Sequence, residues 1–131
     1  MYVNQIFISK MVASKLNKIL LSNGNPTEDR ILILSPKEDA KVGGIIVPDS
    51  AKETLPRKGV VVLKGHISEA YKYLETSLNV GDIVTYGRYA GKEIEFDPNL
   101  FEKGGLAINL EKNTFTVLSS NELIYIEHNN N

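Results

Sequence analysis

The sequence predicts a mainly β protein, a small antiparallel β-barrel with a helical extension before it and a long loop within it. Short apolar runs of strand length recur from residue 30 to residue 126, and glycine, asparagine or serine turns bound most of them. Many short strands with such turns are typical of a small barrel. A long polar stretch, residues 35–58, separates the first two runs, and residues 1–24 show helical spacing instead of alternation.

The composition is that of one ordinary globular domain. The chain has 131 residues, of which 42% are hydrophobic and 24% are charged. Its net charge of −1 gives no basic surface for nucleic acid. The absence of cysteine excludes a disulfide scaffold and thiolate metal sites. No apolar run approaches the roughly 18 residues of a membrane span, so we expect neither nucleic acid nor a membrane as a partner.

Residues 1–24 are predicted to form a helix that is either packed on the domain or peripheral to it. A signal peptide would need a purer apolar run and a transit peptide would need arginine, so a targeting segment is the weaker interpretation. A short strand within Tyr2–Ile8 is a further alternative. Gly24 is a suitable helix end. The apolar side chains that recur at helical spacing are Ile8, Val12, Leu16, Ile19 and Leu20.

The predicted strands follow in order along the remaining chain. The first is apolar after its arginine and ends at Ser35-Pro36, whereas Glu93–Phe96 alternates as a half-buried strand does. The tail, residues 129–131, is expected to fray. The full set of predicted strands is Arg30–Leu34, Gly59–Gly65, Ile83–Tyr86, Glu93–Phe96, Phe115–Leu118 and Leu123–Ile126.

Two segments interrupt this strand pattern. In His66–Leu78 the apolar residues follow helical spacing, and we expect a short amphipathic helix there. Asp97–Asn113 contains two turn signals, Asp97-Pro98-Asn99 and Lys103-Gly104-Gly105. Within it, Leu106–Leu110 is interpreted as one strand of an extra hairpin.

The loop from Ser35 to Lys58 is the most unusual stretch, because a connection of this length without a helical or strand period is uncommon in a compact domain. At its centre stands the apolar triplet Ile45–Val47. Burying each of its residues would contribute about 1.5–3 kcal/mol, so the triplet lies either in the core or against a partner. Gly43-Gly44 also fits an ordinary buried hairpin, but Pro36–Lys41 has no alternation and poor strand propensity.

No residue pattern for catalysis is present. His66 and His128 are the only histidines, one beside a turn and one near the end of the chain. The chain has neither a Gly-x-Ser-x-Gly elbow nor a glycine-rich phosphate loop before a helix. Glu93 and Glu95 share one strand face, which a solvated strand explains better than a catalytic pair. We therefore expect no enzyme, no metal site and no cofactor.

From Pro26 to Glu127 the chain resembles a GroES-type co-chaperonin. Its first segment, PTEDRILI, has the family's proline, two variable residues, Asp-Arg and aliphatic run, and GGIIVPDSAKE resembles the family's mobile loop. The segments stand in the family's order, which is far more specific than any one of them. They are Pro26–Ile33, Gly43–Glu53, Lys58–Gly65, Val80–Val84 with Tyr86–Gly91, and Leu118–Ile126.

The resemblance implies a fold, a partner and a function. Family members are small β-barrels that assemble into a ring of seven copies. The ring caps a GroEL-type chaperonin in its nucleotide-bound state, closing the chamber in which a client protein folds in an ATP-dependent cycle. The resemblance also implies a cytoplasmic location, in the host cytoplasm if the chain is virus-encoded.

The resemblance further implies the binding residues. The aliphatic triplet of the mobile loop, here Ile45, Ile46 and Val47, would bind an apolar groove of the chaperonin, and the hinge residues would be Gly43, Gly44 and Pro48. The subunit contact would join the C-terminal strand of one copy to the N-terminal strand of the next. Those strands are Leu123, Ile124, Tyr125 and Ile126 in the first copy, and Arg30, Ile31, Leu32 and Ile33 in the second.

Three departures from the family pattern stand out. Residues 1–24 precede the usual start, residues 65–78 have a helical pattern where the family has the β-hairpin of its roof, and residues 97–113 form a longer insertion. These departures would suit a divergent or virus-encoded member with a wider chamber.

A different class of function remains as the alternative, a non-catalytic barrel adaptor or a single-stranded nucleic-acid-binding module. Tyr71, Tyr73, Tyr86 and Tyr89 would then serve as stacking platforms for bases. They are not interleaved with a basic stripe, so structural tyrosines are favoured.

Overall fold

The computed structural model of the protein describes residues 2–3, 8–37, 41–42, 45–46 and 55–129. Two of its turns are 3₁₀, at Glu69–Tyr71 and Ser120–Glu122. The strands are β1 (Tyr2–Val3), β2 (Arg30–Pro36), β3 (Lys41–Val42), β4 (Ile45–Ile46), β5 (Arg57–Lys64), β6 (Ile83–Tyr86), β7 (Lys92–Ile94), β8 (Ala107–Ile108), β9 (Asn113–Ser119) and β10 (Leu123–Glu127). The helices are α1 (Lys10–Leu21), α2 (Leu74–Ser77) and α3 (Pro98–Lys103).

Six strands form one antiparallel sheet in the order β10-β6-β5-β2-β9-β7. The middle strand β2 pairs with β9 along its whole length, from Arg30 opposite Ser119 to Pro36 opposite Asn113. On its other side β2 pairs with β5, with a register shift between Leu32 and Ile33. The predicted fold class is confirmed, and each predicted strand is present with its ends shifted by a few residues.

The two faces of this sheet pack against different layers. Alternation along β2 sends Ile31 and Ile33 to one face and Leu32 and Leu34 to the other, and all four side chains are buried. The first face packs against the segment 66–78, and the second packs against α1 and α3. Burial on both faces explains why this strand is an unbroken apolar run in the sequence.

The predicted N-terminal helix is confirmed as α1. The Ser9 side chain accepts a hydrogen bond from the Val12 N–H at 3.3 Å, so Ser9 is the N-cap. The apolar stripe that the sequence predicted faces the sheet, and both Leu16 and Leu20 are buried. The helix ends at Leu21, three residues before the predicted stop at Gly24. Its buried stripe is the stabilising feature, since the first turn has no acidic residue to complement the helix dipole.

The insertion at residues 97–113 differs from the predicted hairpin. β8 has no hairpin partner among the described strands but pairs in parallel with β1, placing Tyr2 opposite Ala107. The Asp97-Pro98 signal begins a helix instead of a turn: the Asp97 carboxylate accepts from the Asn99 N–H at 3.0 Å, and Pro98 takes the first helical position. The alternative prediction of a short strand within Tyr2–Ile8 is confirmed for Tyr2–Val3, which form β1. Residues 4–7 lie outside the described residues.

Residues 66–78 do not form the single helix that their spacing predicted. The segment makes the 3₁₀ turn Glu69–Tyr71 and the one-turn helix α2, and neither has a side-chain cap. Tyr71 ends the 3₁₀ turn and Tyr73 directly precedes α2, and tyrosine is a modest helix former. Of the five apolar residues at helical spacing, Ile67, Leu74 and Leu78 are in the core. Tyr71 is partly buried against them, and Ala70 is exposed.

Two expectations near strand ends are also corrected. β7 is exposed throughout instead of half-buried. Phe96, which follows the strand, packs edge-on against Phe115, with 5.1 Å between the ring centroids. The tail does not fray at Asn129, which is buried and donates its side-chain amide to the Ile8 carbonyl at 2.9 Å. His128 lies 3.1 Å from the buried Asp82 carboxylate. Residues 130–131 lie outside the described residues.

No helix in the described ranges is long and apolar enough to cross a membrane.

Candidate functional site

The long loop between β2 and β5 carries a small sheet of its own. β3 and β4 are antiparallel, with Val42 opposite Ile45 and Lys41 opposite Ile46, so the two glycines of the sequence fall between the strands. Among the described strands these two pair only with each other. The pairing is that of two hairpin arms, and in the described part of the loop neither arm joins the six-stranded sheet. Whether this hairpin is buried lies outside what the structure describes.

Two of the three predicted chaperonin-binding residues, Ile45 and Ile46, form β4. Val47 lies outside the described residues, as do the predicted hinge residues Gly43, Gly44 and Pro48. The contact itself stays a prediction.

The two ends of this loop are tied to each other and to the sheet. The Arg57 guanidinium donates to the Pro36 carbonyl at 2.7 Å and lies 5.9 Å from the centre of the buried Tyr86 ring. The Lys37 N–H donates to the Lys112 carbonyl at 2.8 Å. A charge-assisted bond across the base of a loop fixes where the loop leaves the domain. The loop of residues 38–54 is therefore held at a defined stem, formed by the residues just before it and just after it.

The predicted subunit-contact residues fall into two very different environments. Ile31, Leu32 and Ile33 are buried on both faces of β2, and both edges of β2 hydrogen bond within the chain. Together with Arg30, which begins this strand, they have no free strand edge for pairing with a neighbour, and their part in the subunit contact stays a prediction. The sequence pattern identified a strand but not its central place in the sheet.

β10 carries the other half of the predicted contact, and it lies at an edge of the sheet. It pairs with β6 alone among the described strands. Ile124 and Tyr125 are 65% and 62% exposed, while Leu123 and Ile126 are partly buried against the core. An edge strand with exposed apolar side chains is a template for pairing with another chain.

Asp29 is the residue that sequence reasoning missed. Its carboxylate accepts from the Ser68 N–H at 2.7 Å and from the Ser68 hydroxyl at 2.6 Å, and its carbonyl accepts from the Ser120 N–H at 2.8 Å. Its φ of 60° lies in the left-handed region, which Asp tolerates better than most residues. Asp29 thereby joins the start of β2, the segment 66–78 and the turn before β10. The Asp-Arg pair was the available signal, but it indicated only a family pattern.

The hydrogen bonds from Ser68 hold the pKa of the Asp29 carboxyl below its ordinary value, chiefly through the Ser68 hydroxyl and then its backbone N–H. The lowered pKa reflects a structural role, because the two donors, the Ser68 hydroxyl and N–H, link the segment 66–78 to the start of β2. The described residues contain no cluster of three or more histidines and carboxylates that could hold a metal ion.

The four tyrosines proposed as stacking platforms for bases are not all exposed. Tyr86 is fully buried in the core, and Tyr71 packs against that same core. Tyr73 and Tyr89 are 61% and 76% exposed. A stacking platform needs several aromatic faces open along one groove, so these positions do not favour a nucleic-acid-binding module.

Comparisons with known proteins give a consistent result. Residues 23–126 match the protein family described as the chaperonin 10 Kd subunit. A co-chaperonin GroES from Bacteroides thetaiotaomicron is 51% identical over 76 residues, which cover 57% of this chain and 80% of that protein. Co-chaperonin GroES 1 of Rhodopirellula baltica is 44% identical over 78 residues, covering 57% and 76%. A co-chaperonin GroES from Geobacter sulfurreducens is 40% identical over 82 residues, covering 60% and 85%.

Proposed function

We propose, from the premise that this chain belongs to the family of the chaperonin 10 Kd subunit, that it is a co-chaperonin whose ring caps a GroEL-type chaperonin. The cap closes the chamber in which a client protein folds in an ATP-dependent cycle. The observation that carries this proposal is the family match across residues 23–126, together with relatives named co-chaperonin GroES. The role is one of binding, and neither the site nor the relatives point to catalysis.

The loop between β2 and β5 is the proposed chaperonin contact. Its aliphatic triplet, Ile45–Val47, would enter an apolar groove of the partner, and Gly43, Gly44 and Pro48 would act as hinge residues. Two observations support this: β3 and β4 are separate from the six-stranded sheet, and Arg57 ties the two ends of the loop together. A loop on a fixed stem can present a short apolar strand outward without disturbing the barrel.

The energies favour many weak contacts over one strong contact. Burying the three side chains would contribute roughly 5–8 kcal/mol, and ordering a loop on binding costs about 2–5 kcal/mol. The difference corresponds to roughly millimolar affinity for a single loop. Several loops on one rigid ring bind as a unit, with avidity far above that of any one of them. Weak single contacts also let the cap leave when the chaperonin changes shape.

The ring itself we propose to be a heptamer that binds the nucleotide-bound chaperonin in the cytoplasm. Its contact would use the outer edge of β10, from Leu123 to Ile126. Because β2 is fully paired within the chain, the neighbour would contribute the exposed segment that leads into it, residues 22–28, in place of Arg30–Ile33. This arrangement is head-to-tail, and a head-to-tail contact gives a closed ring when the rotation between successive copies closes.

The substitution Ile46→Asp tests the loop contact. A carboxylate cannot enter an apolar groove without a large desolvation cost, so we expect this variant to form normal rings that no longer bind the chaperonin. Ring size is measured by light scattering after size-exclusion chromatography, and binding by co-sedimentation with a GroEL-type double ring and ADP. Met11→Asp is the matched control, because Met11 is 59% exposed on α1, outside the loop. Normal capping by Ile46→Asp would show that the triplet is not the contact.

A further inference from the structure

An apolar pocket opens beside the C-terminal end of α1. Its volume is about 220 Å³. Leu20 from the N-terminal extension forms one wall, Ile94 and Phe96 form another, and the chain at Asn23–Pro26 forms the rim. The floor consists of side chains from the central strands, Leu32, Leu63 and Val117. The pocket is therefore built jointly by the extension, by β7 with the residues just after it, and by the central strands.

The strand β10 presents apolar side chains at the opposite edge of the sheet. The pocket borders β7, which is last in the strand order, whereas β10 is first. Tyr125 is 62% exposed there. The adjacent Ile124 is 65% exposed, and an edge strand with exposed apolar side chains is a template for pairing with another chain.

The pocket and β10 complement each other chemically. A tyrosine has an apolar ring and a polar hydroxyl end, and it is enriched where a contact is apolar at its centre and polar at its rim. The pocket is lined mostly by apolar residues, and two polar residues, Asn23 and Asn25, also line it. Both asparagines are exposed, so they lie on the solvent side of the pocket. A head-to-tail ring needs two different surfaces on one chain that fit each other, and these two surfaces meet that requirement.

We propose that Tyr125 of one copy of this chain occupies the pocket of the next copy in the ring. Through Leu20, the N-terminal extension then takes part in the subunit contact. This inference rests on the ring assembly proposed above and adds to it one side chain and one receiving pocket. It also gives α1 a role in assembly besides covering the sheet.

Cross-linking tests the contact directly, because the chain contains no cysteine. The variant Tyr125→Cys/Gly24→Cys places one thiol on β10 and one at the pocket rim, where a Cβ on Gly24 would meet no other atom within 4 Å. Under mild oxidation we expect a ladder of covalent oligomers that ends at the full ring, read on a denaturing gel without reductant. The control Tyr89→Cys/Gly24→Cys, at a tyrosine that is 76% exposed, should give no ladder.

A second variant tests the pocket without a covalent bond. Gly24→Trp places an indole at the rim, and we expect the protein concentration at half-assembly to rise at least tenfold, whereas Gly24→Ala should assemble as wild type. Wild-type assembly by Gly24→Trp, in rings that fail to cross-link through residues 24 and 125, would overturn the inference and leave the proposed function standing. Wild-type protein that forms no ring at all would overturn both.

Discussion

At the scale of single residues, Asp29 contributes most to the arrangement of the barrel. It receives two hydrogen bonds from Ser68 on one segment and bonds from Ser120 on another, while its own backbone is left-handed. Helical spacing predicted the buried stripe of α1, and the apolar run predicted β2, but alternation wrongly predicted burial for Ile94, which is 39% exposed. The sequence did not predict Asp29, because a polar hub depends on three segments that are distant along the chain.

The acid sensitivity of the fold follows from this residue. Because the folded pKa of Asp29 is lowered, its ionised form adds stability that is fully present above the unfolded value of about 3.9. That contribution is lost as the pH falls through the folded pKa. We expect Asp29→Asn to be less stable than wild type at pH 7 and to lose less stability between pH 5 and pH 2.

Urea unfolding across that pH range measures the effect. Glu28→Gln, at the adjacent exposed position, is the control and should keep the wild-type pH dependence. An Asp29→Asn profile parallel to that of wild type over the whole range would show that Asp29 does not contribute to acid sensitivity.

At the scale of elements, the N-terminal extension and the insertion form one added layer. β1 pairs with β8, α1 packs on the sheet beside α3, and Asn129 bonds back to Ile8. Each helix has a local sequence cause, a serine cap in one case and Asp-Pro in the other. No local sequence signal predicts that the extension and the insertion pair with each other, because β1 and β8 are far apart in the chain and too short to be recognised by alternation.

Removing packing from α1 should therefore destabilise the whole domain. Leu16 is fully buried between α1 and the sheet, and a Leu→Ala change at such a site costs about 2–5 kcal/mol. We expect Leu16→Ala to lower the free energy of unfolding by that amount, measured by urea denaturation. Lys15→Ala, exposed on the same helix, should change it by less than about 0.5 kcal/mol. A similarly small change for Leu16→Ala would mean that α1 is not part of the cooperative unit.

At the scale of the whole molecule, two features of the described residues stand apart in the pairing pattern. The strands β3 and β4 pair only with each other, and β10 pairs with β6 alone. Apolar runs and turn residues were enough to predict the antiparallel barrel and the long loop. The place of β2 in the middle of the sheet was not predictable, because strand order depends on pairing between distant segments. For that reason the sequence named Ile31 and Tyr125 for one subunit contact without showing that β2 lies inside the sheet and β10 at its edge. The contact itself stays a prediction.

The measurement that tests the central claim most directly is co-sedimentation of the wild-type protein with a GroEL-type double ring, with and without ADP. A co-chaperonin should sediment with the chaperonin when ADP is present and remain in the supernatant without it, at one ring of this protein for each capped end. Stable rings that stay in the supernatant in both conditions would contradict capping of a GroEL-type partner.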